Sequence, residues 1–336
     1  MARVRKLGLG ILLGLVIVGL IGTAALAEQK VYKYKFFIVS HGGAADPFWA
    51  VVRRGMEDAA RLLSYSPEYE IEATYFGPKV ASPEEVVKLM DAAIAANPDG
   101  IAVTITDPRI VDEVVRRAIE KGIPVIAINV PDMRPEPEKI PYMFYVGGDE
   151  YLGGVKAAKI LLKAAAQKGI TIKGAVCAPQ EVGHIGLETR CRGFCDVMSD
   201  NGIPCEKLQI YGEDPTRSVE ILRSYFAAHP ETNALFTTGP QGTLPAIQFL
   251  KEAGMVGKIL HVTYDLDPVT LDAIKSGITL ATIVQQQYLQ GFLPIVFLTL
   301  YNRFLLAPAS DVLTGPAVVD ITNVERVEEL IKEGYW

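Results

Sequence analysis

Residues 36–55 read FFIVSHGGAADPFWAVVRRG. Phe36 to Val39 form a short apolar run with the composition of a strand buried on both faces. A polar, glycine-rich turn follows, and Asp46-Pro47 then opens a helix. A short acceptor side chain before proline satisfies free backbone N–H groups and presets φ for the first helical turn. That turn carries Phe48 and Trp49. The unit sets His41, a carboxylate and two aromatic rings beyond the carboxyl end of the first strand, where open α/β sheets collect ligands. The combination suits a neutral molecule with hydroxyl edges and apolar faces, such as a sugar. Asp46 also caps the helix in its own right, Trp49 is equally suited to core packing, and His41 can contact ligand or simply satisfy a turn carbonyl.

The same punctuation recurs at Ser82-Pro83, Asp107-Pro108, Asp214-Pro215 and Asp267-Pro268, with Ser82 and Glu85 spaced as a capping box. Between these helix starts lie short apolar runs at 100–105, 125–129, 174–177, 208–211, 234–237, 260–264 and 280–284. Each fits a strand of a parallel sheet covered on both faces. Segments such as 86–96, 110–121 and 155–168 have helical periodicity. Strand and helix alternate along nearly the whole chain, which predicts a doubly wound α/β architecture. The alternation breaks at 131–145, PDMRPEPEKIPYMFY, a Pro- and charge-rich stretch expected to cross between lobes. Further crossings are expected after Gln285 and around Thr314-Gly315-Pro316. Three crossings make two discontinuous lobes: 28–148 with 286–314, and 149–285 with 315–336.

The chain has 336 residues, 49% hydrophobic and 21% charged, an ordinary globular balance. Its first residues stand apart. Arg3, Arg5 and Lys6 precede an apolar run from Leu7 to about Gly22, and Ala25-Leu26-Ala27 has the small residues of a cleavage site. Residues 1–27 therefore read as a secretory signal peptide; the run is short for a membrane anchor. Loss of those three bases takes the formal charge from −6 to −9. An acidic protein without a basic stripe is a poor partner for nucleic acid.

The exported compartment permits disulfides among Cys177, Cys191, Cys195 and Cys205. Cys177 is placed at a strand end, Cys191 and Cys195 one turn apart on the next helix, and Cys205 before the next strand. Pairing helix to strand gives Cys177–Cys191 and Cys195–Cys205; four buried free thiols are the plain alternative. The spacings fit no zinc pattern, the four histidines have no metal spacing, and neither a phosphate loop nor a dinucleotide fingerprint is present. No cofactor is called for. His229 reads as a helix-end residue and His261 as part of a strand.

The leader, VSHGGAADPFW at 39–49, PVIAINVPD at 124–132, TYD at 263–265 and ATIVQQ at 281–286 together resemble the sugar-binding proteins of bacterial ABC transporters. The nearest types are the ribose and glucose/galactose binders of the type I periplasmic-binding fold. The resemblance covers roughly residues 33–325. It implies ligand contacts from Asp46, Phe48, Trp49 and Asn129 in the first lobe. GHIGLETR at 183–190 resembles the Gly-His…Arg stretch of glucose/galactose binders and gives His184 and Arg190; Asp265 and Gln285 follow from the second lobe and the return crossing. Arg190 alternatively serves as a salt-bridged helix residue. The chain departs from the family at three places. Gly239-Pro240-Gln241 stands where relatives place an asparagine. Glu213 and Asp214 fall near the usual second-lobe aromatic, with Tyr211 as a stand-in. Gly42 to Ala45 is inserted relative to ribose binders.

The resemblance implies a monomeric periplasmic or extracellular protein that binds a neutral monosaccharide or polyol, closes about its hinge and is recognised by a membrane permease. A nucleoside or signalling-furanose binder, or a chemoreceptor partner, is the nearest alternative. An exported enzyme is further off, because no catalytic signature is visible. A regulator of the lactose-repressor type needs a DNA-binding headpiece where this chain has its leader.

Overall fold

The structure, a computed structural model, describes residues 30–43, 46–79 and 82–336. The expected signal peptide and Ala44-Ala45 of the inserted loop lie outside the described residues. The first sheet contains β1 (Tyr32–Val39), β2 (Tyr69–Phe76), β3 (Gly100–Val103), β4 (Val125–Ile128), β5 (Tyr145–Gly148) and β11 (Val312–Gly315), in the order β11-β5-β4-β3-β1-β2. The second contains β6 (Ala175–Ala178), β7 (Cys205–Lys207), β8 (Ala234–Thr237), β9 (Leu260–Tyr264), β10 (Ala281–Val284) and β12 (Ala317–Asp320), in the order β12-β10-β9-β8-β6-β7. Pairing is parallel in both, except that β12 runs antiparallel to β10. Each sheet reverses its strand order once, between β1 and β3 and between β6 and β8, and those reversals open a crevice at the strand ends.

Helices α1 (Pro47–Leu63), α2 (Pro83–Ala95) and α3 (Pro108–Glu120) cover the first sheet together with α9 (Gln287–Phe304). Each of the first three begins at an Asp or Ser that accepts from a backbone N–H of the first turn, with proline next. One face of the sheet packs Phe37, Val39, Ile101 and Val103 on Met90 of α2 and Val115 of α3; the other packs Phe36, Ile38 and Ile126 on Met56, Ile295 and Leu298. Helices α4 (Glu150–Lys168), α5 (Ile185–Asp200), α6 (Pro215–Ala228), α7 (Pro240–Glu252) and α8 (Pro268–Lys275) flank the second sheet, and α10 (Val324–Lys332) closes it against β12. The two lobes share a device. A Cβ on Gly291 of α9 would lie 1.8 Å from the Val52 carbonyl of α1, and one on Gly154 of α4 would lie 1.9 Å from the Arg190 carbonyl of α5. Glycine lets each helix pair approach backbone to backbone.

The chain passes between sheets after β5, after β10 and between β11 and β12. The segment 131–144 does not itself cross. It loops back from β4 to β5 within the first sheet, pinned by the Asp132 carboxylate, which accepts from Arg134 and from the Ile140 N–H at 2.9 Å. The strand expected at 208–211 lies earlier, at 205–207. Backbone N–H groups of Leu208 and Ile210 still donate to the carbonyls of Cys177 (2.8 Å) and Pro179 (3.1 Å), but Pro179 has no N–H to return, and regular pairing ends at Lys207. Disulfides join Cys177 to Cys191 and Cys195 to Cys205, with Cα separations of 5.5 and 5.3 Å. They fasten α5 to both β6 and β7.

Candidate ligand-binding site

The crevice is built from residues that immediately follow strands. In the first lobe Ser40, after β1, accepts the Gly42 N–H, and the Tyr75 hydroxyl donates to the Gly42 carbonyl at 2.6 Å, fixing the turn that carries His41. The His41 ring meets Trp49 edge-on at 4.9 Å, and Trp49 meets Phe48 at 5.0 Å. Trp49 is buried, with Gly42 packed directly on its indole, whereas Phe48 is half-buried and Asp46 exposed. Asp46 caps α1 through one carboxylate oxygen, which accepts the Phe48 N–H at 2.8 Å. The outer ring is therefore Phe48; Trp49 supports it from beneath.

Asn129, at the end of β4, has φ +60° and Asp265, at the end of β9, also has φ +60°. These left-handed turns are tolerated best by Asn, Asp and Gly, and they swing both side chains toward the crossing at Gln285. Asn129 Nδ2 donates to Gln285 Oε1 (3.3 Å) and to Gln290 Oε1 (3.1 Å). Gln285 Nε2 donates to both Asp265 oxygens at 3.1 and 2.9 Å. A buried relay thus runs from the first sheet through the crossing at Gln285 to the second. Burial pushes the Asp265 carboxyl up to about 7, outweighing the lowering effects of Arg190 and Gln285, and the charges of Glu150 and Asp46 add to the rise.

Arg190 lies across the face of Tyr264, its guanidinium carbon 3.6 Å from the ring centroid. Its Nη1 donates to the Thr238 carbonyl at 2.6 Å and sits 4.0 Å from Asp265, while Nε pairs with Glu150. Burial works against the charge on Arg190, but the carboxylate of Glu150 wins and holds its pKa above the ordinary value. His184 caps α5: Nδ1 accepts from the N–H groups of Gly186 (3.1 Å) and Leu187 (3.4 Å). That acceptor role requires a neutral ring protonated on Nε2, and burial followed by the Arg190 charge lowers its pKa accordingly. His41 is lowered to about 3 by burial, and His184 of the opposite lobe adds to the lowering.

The nine residues singled out in the sequence fall into three groups. Asn129, Gln285, Asp265 and Arg190 share a connected polar network; His41 and His184 face each other across it, and Phe48, Trp49 and Asp46 stand at the first-lobe wall. Sequence reasoning missed Glu150, which sits in the first turn of a helix and reads there as a dipole partner. It also missed Gln180, whose Oε1 accepts from Thr238 Oγ1 at 2.8 Å. Gln180 occupies the space beside Gly239, where a Cβ would meet its amide at 2.6 Å. Tyr211 is covered on one ring face by Arg217 at 3.8 Å. His261 is buried in the second sheet, hydrogen-bonded to Thr237 and Thr279 at 2.9 Å each. Three polar atoms near the strand ends, His41 Nδ1, Thr104 Oγ1 and Tyr264 Oη, are buried without a hydrogen-bond partner among the described residues.

Paired doubly wound lobes with a polar relay across their hinge define a two-lobed solute-binding protein. The chain belongs to the periplasmic binding protein family, whose domain model matches residues 36–301. It is 28% identical over 304 residues to the xylose/arabinose-binding protein XylF of Sulfolobus acidocaldarius, covering 87% of this chain and 72% of that one. It is 23% identical to the ribose import binding protein RbsB of Salmonella typhimurium, over 71% and 75% of the two chains. Among solved structures, a periplasmic sugar-binding protein of an ABC sugar transporter from Legionella pneumophila superposes with TM-score 0.71 at 30% identity, covering 84% of this chain and 99% of that one. A carbohydrate transporter protein from Acidothermus cellulolyticus, in complex with myo-inositol, superposes with TM-score 0.74 at 26% identity, covering 91% and 100%.

Proposed function

We infer that this protein is the extracytoplasmic binding component of an ABC importer and takes a neutral monosaccharide or sugar alcohol between its lobes. The observation that carries the reading is the Asn129–Gln285–Asp265 relay, which ties both sheets to one polar crevice. A sugar must exchange water for an equally dense set of hydrogen bonds, since an unmet buried hydroxyl costs about 1–3 kcal/mol. Asp265 and Asp46 supply acceptors, Arg190 donors, and Asn129, Gln285 and the neutral His184 mixed groups. Phe48 offers a face for the sugar's C–H edge. The names of the relatives, which bind xylose, arabinose or ribose, and the myo-inositol complex support a neutral polyhydroxyl ligand.

Contacts from both walls stabilise a closed form, because a ligand shifts a conformational equilibrium only by its differential affinity. The closed monomer is then the form a membrane permease recognises. Residues 1–27 direct export and are then cleaved off, and the protein is a carrier with no chemistry of its own. A thermal-shift screen of the mature protein against pentoses, hexoses, polyols and nucleosides tests this. A neutral sugar or polyol is expected to raise the melting temperature, the gain reaching about 2.7 kcal/mol at a hundredfold excess over Kd. A response confined to nucleosides, or turnover of any bound sugar, overturns the reading.

A further inference from the structure

A cavity of about 210 Å3 opens at the side of the crevice, lined from both lobes. Two of its wall residues, Asn129 and Glu150, belong to the polar network described above, so it adjoins the ligand seat directly. Its remaining lining has a different character. Val130, Met133 and Leu313 of the first lobe and Ile185 and Tyr151 of the second give it an apolar surface, with Asp149, Thr189, Arg192 and Asp311 among the other lining residues. Met133 is 56% exposed, Leu313 53% and Ile185 43%. Large apolar side chains presented to solvent in a group mark a contact surface more often than scattered single ones do. A free monosaccharide carries hydroxyls on every edge and covers little of Met133, Leu313 and Ile185, whereas an apolar group laid on them removes their surface from water.

We propose that this side cavity receives an apolar substituent on the sugar, so that the preferred ligand is a glycoside with an alkyl or aryl aglycone rather than the free sugar. The seat formed by Asp265, Gln285 and Arg190 holds the ring, and the aglycone leaves it past Asn129 and Glu150 into the apolar chamber. Both lobes line the chamber, so an aglycone there adds contacts that exist only when the lobes are together. The inference rests on the reading that the crevice binds a sugar.

The test uses the mature protein and the sugar that gives the largest thermal shift. Calorimetric Kd values are measured for that sugar, for its two anomeric phenyl glycosides and for a disaccharide with the same ring at its non-reducing end. One phenyl glycoside is expected to bind about tenfold or more tighter than the free sugar. In the M133A/L313A variant, whose substitutions lie at exposed positions outside the polar network, that advantage is expected to vanish while affinity for the free sugar is kept. Equal or weaker binding of both phenyl glycosides overturns the proposal and leaves sugar binding standing. A gain with the disaccharide alone overturns the apolar assignment. An advantage that survives in the variant places the aglycone elsewhere and equally overturns it. Failure of every sugar and glycoside to bind would instead bring down the sugar reading itself.

Discussion

Asp265 concentrates the conflict between stability and binding. Its carboxyl is buried, accepts two hydrogen bonds from Gln285 and is pushed up to about 7 from the ordinary 3.8. The folded form therefore binds a proton more tightly than the unfolded form. Between those two values the native state holds more protons, so stability falls as pH rises from about 4 to about 7. Asp265→Asn removes the titration. Melting temperatures at pH 4.5 and pH 8 are expected to fall across that range by less in the variant than in the native protein, while sugar affinity drops tenfold or more. Equal pH dependence in the two proteins would exclude Asp265 as the source. The two aromatics separate in the same way. Trp49→Ala removes a buried indole and is expected to cost about 3–5 kcal/mol in denaturant melts, whereas Phe48→Ala costs little stability and weakens sugar binding about tenfold. The reverse pattern would exchange their roles. Asp46 was legible in the sequence from its place before Pro47 at the start of a helix, and Asn129, Asp265 and Gln285 from the family resemblance, each at the end of an apolar run. Glu150 was not, because an acid in a first helical turn has a sufficient local explanation and its pairing with Arg190, 40 residues on, leaves no mark in the spacing.

At the scale of elements, α5 is the piece held most firmly. Cys177–Cys191 ties it to β6 one residue from Arg190, and Cys195–Cys205 ties it to β7 further along. Closing loops of 14 and 10 residues is worth roughly 3 kcal/mol each in the chain-entropy account. Replacing either pair by alanine is expected to lower the unfolding free energy by about that amount. Only C177A/C191A is expected to weaken sugar binding as well, because it loosens the segment that carries Arg190; equal affinities in the two variants would count against that positioning role. The alternation of strands and helices was readable from proline-capped starts and apolar runs, and so was the disulfide pairing once the cysteines were set on strand and helix. β2 was not, because its sequence YEIEATYF mixes charge into a strand at the sheet edge. The run at 208–211 misled for the opposite reason: Leu208 and Ile210 are apolar and still donate to Cys177 and Pro179, but Pro179 on the neighbouring segment has no N–H to complete the ladder.

For the whole molecule, Gln285 is the residue through which the two lobes share one site. It lies at a crossing and bonds Asn129 on one side and Asp265 on the other. Gln285→Ala leaves both partners buried and short of a hydrogen bond, so a loss of about 1–3 kcal/mol is expected in unfolding experiments. A sugar should then bind weakly and draw the lobes together less completely. The segment 131–144 was misread as a crossing because Pro and charge signal a surface connection without saying which elements it connects. Lobe closure is read by small-angle X-ray scattering of the mature protein with and without saturating sugar. The radius of gyration is expected to fall when the sugar is added, and the fall to shrink in Gln285→Ala. An unchanged radius at full saturation would rule out closure of the lobes on the sugar.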